Sequence, residues 1–420
     1  MSVDGFAAGT RAYEEWLKGF IQLDPDELEE KRRRMAEDRF EFLRASFHRW
    51  AALWRDNAGR MGLDGVPEVL GVGDLHVENF GTWRDADGRL AWGVNDFDEA
   101  CPLPYVNDLV RLAVSAELAL ESEKNADNFK PVVTEQGACA SILKGYTRGI
   151  SDALGLPDKD DLPDGLGMDE ALEQLARMRV GLRDRRRPYV LAEEHGWLRT
   201  VATNKLEKKD KQGKTKFEKI VDELSGGELP PLRFAVPPAA RGALAASFPP
   251  AARGRPEYRI GQRRAGLGSL GRQRFTAVAD DWDGGLIARE AKALAPSAWL
   301  WANGLSGAAR EVWYAAVLEN AVRSRDPWVR VQDGWVIRRL APDAGKVKLD
   351  DLPPELDDDL LCAMGQETAN VHSPSREPLR AVYDDLRGRR QRDEDWFARA
   401  VERMKSATLA DWEECKAAGA

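Results

Sequence analysis

What most constrains this chain is the order of its parts. Residues 1–70 read as helix, a carboxylate-rich stretch of short apolar runs follows, and a glycine cluster with strand-like periodicity comes only in the second half. Asp24-Pro25-Asp26-Glu27 supplies a capping residue, a proline at the first helical position and an acid at the third, which together start a helix. Phe40, Leu43, Phe47, Trp50 and Trp54 recur at spacings of three and four, so one aromatic face turns inward. Residues 67–100, PEVLGVGDLHVENFGTWRDADGRLAWGVNDFDEA, break that period, and DADG at 85–88 supplies a turn between two apolar runs. Helix resumes from Asn107, a plausible cap, to Lys124, and again over 130–152 and 168–180.

Residues 204–219 are lysine-rich, and 226–257 are rich in Pro, Gly, Ala and Arg, the composition of a connection. Beyond them Arg274 to Ala279 alternates with a period near two, and a DWDGG turn joins this run to LIARE as a hairpin. WVRVQDGWVIRRL, residues 328–340, is a second hairpin turning at Asp333-Gly334, with a helix over 306–325 between the two. The fold class that follows is α+β.

Composition removes several functions. With 62 basic against 71 acidic side chains the net charge is −9, which argues against nucleic acid as the main partner. Cys101, Cys139, Cys362 and Cys415 form no CxxC pair and there are four histidines, so neither a disulfide framework nor a zinc site is indicated. No apolar run has the length of a bilayer span, and the first residues lack a signal-peptide pattern, so a cytoplasmic protein with no membrane partner is expected.

Two segments carry chemistry. In GDLHVENF, Asp74 and Asn79 are five apart, the spacing of a phosphotransfer loop whose aspartate accepts a hydroxyl proton and whose asparagine holds magnesium. NDFDEA follows, with Asp96 where such enzymes keep their main metal-binding aspartate. Either motif alone is weak; in order and at a separation that a short hairpin can span, they reinforce each other. The second segment is Gly266-Leu267-Gly268-Ser269-Leu270-Gly271. Because RQRFTAVAD after it alternates, a strand rather than a helix follows, which favours a loop clamped over nucleotide phosphates through Gly266, Gly268, Ser269 and Gly271. A basic residue on a following strand is then needed: Arg289 has the better spacing and Lys292 the usual side chain, and the two face opposite sides of a straight strand. Glu311 or Glu319 is the candidate helix partner.

GDLHVENFG, VNDFDEA, LPYVNDLVRLAVS, GLGSLG and LIAREA resemble the bacterial DUF2252 family, and DRFEFLRASF, WVIRRL and ETANVHS extend the resemblance over most of the chain. The resemblance implies kinship with the protein-kinase-like and aminoglycoside-phosphotransferase-like superfamily. It makes Asp74 the catalytic aspartate, Asn79 and Asp96 metal ligands, and Asp108 a structural acid bracing the catalytic loop. Arg289 stands where lysine is expected, and a planar fork does not replace a compact ammonium at a phosphate.

Ordinary kinases carry the glycine-rich lobe first. Here it comes last, which implies a bilobal kinase-like fold with permuted lobes: a helical catalytic lobe over 1–225, a connection at 226–254, a β-rich nucleotide lobe over 255–345, and C-terminal helices, 346–420, packed back on the large lobe. The expected activity is ATP- and Mg²⁺-dependent phosphoryl transfer to a small-molecule or protein hydroxyl. The alternatives are a non-catalytic nucleotide-binding module, favoured by Arg289, and transfer of AMP by the same fold.

Overall fold

The computed structural model describes residues 5–121, 134–156, 198–199, 209, 213, 229, 231–250, 257–305, 312–341, 344–346, 357–374 and 376–419. Four helices open it: α1 (Phe6–Leu17), α2 (Pro25–Glu37), α3 (Arg39–Ala45) and α4 (Phe47–Asn57). The Asp24 carboxylate caps α2 as its sequence dictates, accepting from the amides of Asp26 at 3.1 Å and Glu27 at 3.3 Å. The aromatic period does not run through one continuous helix. Ser46 takes φ −122°, ψ 40° between α3 and α4, and its hydroxyl donates to the Phe42 carbonyl at 2.6 Å. Phe40, Leu43, Phe47, Trp50 and Trp54 are all buried nonetheless, each contributing on the order of 2 kcal/mol of apolar transfer.

Two antiparallel ladders follow. Strand β1 (Glu68–Gly71) is the first, and β2 (Phe80–Arg84) pairs with β3 (Leu90–Val94) across the DADG turn, where Asp85 accepts from the amides of Asp87 and Arg89. Strand β4 (Cys101–Pro104) returns to β1. The registers matter more than the strands: Gly71 pairs with Cys101 and Phe80 with Val94. Residues 72–79 and 95–100 therefore leave and re-enter at paired positions, which lays the two acidic loops side by side.

Helix α5 (Tyr105–Glu121) begins two residues before the expected cap. Asn107 lies inside its first turn, fully buried, with neither side-chain polar atom hydrogen-bonded among the described residues. Helix α6 (Glu135–Leu154) follows, then α7 (Pro238–Ser247). The expected helix at 168–180 and the lysine-rich 204–219 lie outside the described residues or nearly so.

The second half builds one antiparallel sheet from β5 (Arg259–Gln262), β6 (Arg274–Trp282), β7 (Gly285–Ala293), β8 (Arg330–Gln332) and β9 (Trp335–Leu340), in the order β5-β6-β7-β9-β8. Both expected hairpins form around two-residue Asp-Gly turns, with Asp283, Gly284, Asp333 and Gly334 all at positive φ. Short helices α8 (Ala298–Ala302) and α9 (Tyr314–Asn320) stand between β7 and β8; the expected helix over 306–325 is realised only as α9 in its described part, since Ala321 turns extended.

Helices α10 (Asp357–His372), α11 (Arg376–Arg392) and α12 (Trp396–Ala417) complete the chain. Helix α10 crosses α6 at two glycines: a Cβ on Gly145 would strike the Cys362 carbonyl and one on Gly365 the Ile142 carbonyl. Helix α12 is tied to α4 by a buried bidentate pair, Arg49 with Asp411, at 2.6 and 2.9 Å. One apolar cluster contains Phe275 and Ile337 of the sheet together with Trp50, Leu109 and Met404 of the helices, so the sheet is built onto the helical core. Among the described residues no helix is long and apolar enough to cross a membrane.

Candidate active site

The loop after β1 is held from beneath. Asp108, on the buried side of α5 and fully enclosed, accepts from the amides of Val72 at 2.6 Å and Gly73 at 2.9 Å, and from His372 Nε2 at 2.9 Å. Tyr146 meets the other ring nitrogen of that histidine at 2.9 Å, so α5, α6 and α10 all converge on one carboxylate under the loop. Three residues along α5, on the same face, buried Arg111 donates to Asp74 Oδ1 through Nε at 3.2 Å and through Nη2. Its guanidinium rests against Phe47 and Trp50, each at 5.1 Å. The second Asp74 oxygen, Oδ2, accepts no hydrogen bond among the described residues.

Asn79 joins the two acidic loops. Its amide nitrogen donates to the Asp74 carbonyl at 3.2 Å and the Asp96 carbonyl at 3.0 Å, leaving Oδ1 without a donor among the described residues. Asp96 is about one-third exposed and takes both oxygens to Lys292 Nζ, at 2.8 and 2.9 Å; the same ammonium lies 2.6 Å from Asp98. Burial works against ionisation of Asp96, but Lys292 and Arg338 hold its carboxyl well below the usual range. Asp98 goes the other way, pushed up to about 6 by burial and by the charge of Asp96.

Lys292 reaches this position because β7 alternates. Lys292 and Glu290 share one face of the strand, and Arg289 takes the other. There Arg289 stacks over Trp328 at 4.7 Å and Phe248 at 5.7 Å and donates to the Ser247 carbonyl, while burial lowers its pKa to about 10. Of the two candidate basic residues, the fold brings Lys292 to Asp96 and turns Arg289 away. The expected helix glutamate is not its partner: Glu319 is exposed and Glu311 lies outside the described residues.

The glycine segment joins β5 to β6 and folds down onto Asp74. A Cβ on Gly268 would sit 3.5 Å from Asp74 Oδ2 and 3.0 Å from the Arg44 carbonyl, so a side chain here would have to push that backbone back by a few tenths of an ångström. Its ends are pinned to α2. Lys31 Nζ donates to the Gly268 carbonyl at 2.8 Å, the Asp24 amide to the Gly271 carbonyl at 2.9 Å, and the Gly271 amide to Glu27 at 3.1 Å. Gly266 takes φ +75°, and the Ser269 hydroxyl accepts from Arg274 at 2.5 Å. Asp74, Asn79, Asp96 and Gly266–Ser269 thus line one cleft of about 640 Å³.

Several residues of this site carry no motif. Glu290 is fully buried among Arg263, Arg274 and Arg338 at 2.7–3.0 Å, and although burial opposes it, those three cations hold its carboxyl far below the usual range. Glu99 accepts from Arg272 at 2.6 Å and from the Ala298 amide. His76, beside Asp74 in sequence, is buried and kept neutral by that burial, and its Nδ1 has no partner among the described residues. Among the described residues no three His, Cys, Asp or Glu side chains group as a metal centre; the Asp96 carboxylate and the Asn79 carbonyl are hard oxygens that line the cleft together with the carboxylates of Asp74, Asp98 and Glu99.

The family profile described as an uncharacterized protein conserved in bacteria, DUF2252, matches residues 23–418. No curated protein and no solved structure matches the chain. The chain belongs to the DUF2252 family.

Proposed function

We propose that this protein is a Mg²⁺-dependent ATP phosphotransferase of kinase-like, bilobal architecture with its lobes in permuted order. The observation that carries the reading is that the glycine loop lies over Asp74 while Lys292, on the third strand of the same sheet, pairs with Asp96. Protein kinases combine the same parts: a glycine-rich loop between strands, a lysine on the third strand, and an Asp/Asn/Asp set below. One departure is that Lys292 takes Asp96 and Asp98 where kinases use a helix glutamate. The non-catalytic alternative rested on Arg289, and with Lys292 beside Asp96 that support falls away.

Asp96 and Asn79 Oδ1 fit Mg²⁺, which needs only one or two protein oxygens when phosphates and water complete its shell. Bound there, the ion would neutralise charge on the transferring phosphoryl group. Lys292, with Asp98 as a second partner, adds a fixed positive charge at the phosphates. Amides of Gly266–Ser269 cover them, while the Gly271 amide is held by Glu27. Asp74 Oδ2 takes the proton of the acceptor hydroxyl as its oxygen bonds to the γ-phosphorus and the bond to the β-bridging oxygen breaks, releasing ADP. Arg111 fixes the carboxylate for that task.

Calorimetric titration with ATP, with and without Mg²⁺, tests this. Wild type is expected to bind in the presence of the ion, and Asp96→Asn to lose the ion's contribution. Absence of ATP binding, or binding indifferent to both the ion and the substitution, overturns it; pyrophosphate instead of ADP as product would make it an AMP transferase.

A further inference from the structure

Behind the glycine loop, on the α1–α2 side of Asp74, lies a second and smaller cavity of about 50 Å³. By the measure that one water needs about 10–15 Å³, it has room for on the order of four or five non-hydrogen atoms. Its walls include Tyr13, Lys31, His48, Asp74, Glu99 and Arg272, with Gly268 as the partition toward the larger cleft. Apolar side chains, Leu17, Leu28, Met35, Phe47 and Leu270 among them, make up most of the wall, and the charges set into it can be accounted for one by one. Asp74 is matched by Arg111, Glu99 by Arg272, and Glu14 by Arg32 at 2.6 Å; Arg44, also in the wall, is matched by Glu78 at 2.9 Å.

Lys31 is the cation left over. Its ammonium has three donors and one partner, the Gly268 carbonyl, and among the described residues no carboxylate lies within ion-pair distance. Burial and the neighbouring Arg272 lower its pKa to about 8, as befits a cation enclosed without a counter-charge. Nearby, His48 is stacked on Tyr13 at 4.5 Å and is kept neutral by burial, so it adds no charge.

The geometry points to this cavity as the acceptor site, and to the acceptor as a small hydroxylated monoanion whose hydroxyl meets Asp74 Oδ2 and whose anionic group pairs with Lys31. The inference rests on the phosphotransferase reading for the role of the hydroxyl, and on the cavity alone for binding. Asp74 then stands between two chambers, nucleotide on the Asp96 side and acceptor on the Lys31 side, and the glycine loop separates them until transfer.

Binding is measured with the full chain by ligand-observed NMR, using glycolate, D-lactate and L-lactate as probes, ethylene glycol as the uncharged counterpart and acetate as the counterpart without a hydroxyl. At least one hydroxy acid is expected to bind roughly tenfold or more tightly than either counterpart, the scale of one buried charge-assisted hydrogen bond. Lys31→Met removes the preference over ethylene glycol, and Asp74→Asn the preference over acetate. If no hydroxy acid binds, if the counterparts bind equally, or if folded Lys31→Met behaves as wild type, the assignment is wrong. ATP binding in the same samples reports separately on the nucleotide site, so failure of the acceptor assignment and failure of the phosphotransferase reading are told apart. Lys31→Arg, which keeps the charge, restores the preference over ethylene glycol in part and guards against a merely structural effect.

Discussion

Single side chains here act through the face they occupy. Lys292 and Arg289 are three apart in sequence, yet one is enclosed against Asp96 and the other sits on aromatic rings across the sheet. Lys292→Met is expected to weaken ATP binding tenfold or more, whereas Arg289→Met leaves it unchanged and lowers stability by about 1 kcal/mol through the lost stacking; titration calorimetry and thermal melts read the two effects, and the opposite pattern would reverse the assignment. Glu367 offers a second residue-scale test. It is buried in α10, accepts from Asn370 at 3.0 Å, has no partner for Oε1 among the described residues, and burial pushes its pKa up to about 7 against the opposing charge of Arg323. A carboxyl that holds its proton longer folded than unfolded makes stability fall as pH rises between about 4.5 and about 7. Wild type should therefore lose on the order of 2–3 kcal/mol relative to Glu367→Gln between pH 5 and 8. Parallel pH–stability curves for the two proteins would assign the carboxyl an ordinary pKa.

Elements whose signals are local were legible in the sequence. The start of α2 is written in Asp24 and Pro25, and both Asp-Gly hairpins are written in their turns, because capping and positive-φ chemistry need no distant partner. Asp74, Asn79 and Asp96 were legible too, since a fixed loop spacing carries them. Other features were not. The break at Ser46 leaves the aromatic period intact, so periodicity cannot see it. Asn107 has the composition of a cap but falls inside the first turn of α5, where the start is set by the β4 strand running directly into it. Choosing between Arg289 and Lys292, and finding the three arginines around Glu290, needs the register of β6, β7 and β9, which follows from cross-strand pairing. The crossing of α6 and α10 at Gly145 and Gly365 is likewise a tertiary fact. Gly365→Ala should destabilise by about 1–3 kcal/mol by forcing the helices apart, measured as a shift in the urea midpoint. An unchanged midpoint would mean the crossing has slack.

At the scale of the molecule, segments far apart in sequence close one core. Arg49 and Asp411 join α4 to the last helix with both partners buried, and removing one leaves the other charge uncompensated. Asp411→Ala is expected to cost about 3–5 kcal/mol, read from chemical denaturation, although Asp411 lies outside the cleft; a loss below 1 kcal/mol would contradict a buried pair. The same economy explains how an early acidic loop and a late glycine loop form one site. The sheet shares its apolar cluster with the helices, so neither half has to find the other across solvent.

The three bonds between residues 24–31 and the glycine loop give that closure a particular mechanics. Because the roof of the cleft is bonded to the start of α2, any displacement of it has to break these bonds or carry α2 along. A probe attached to α2, remote from the phosphates, would consequently register each opening of the cleft as a change in its own surroundings.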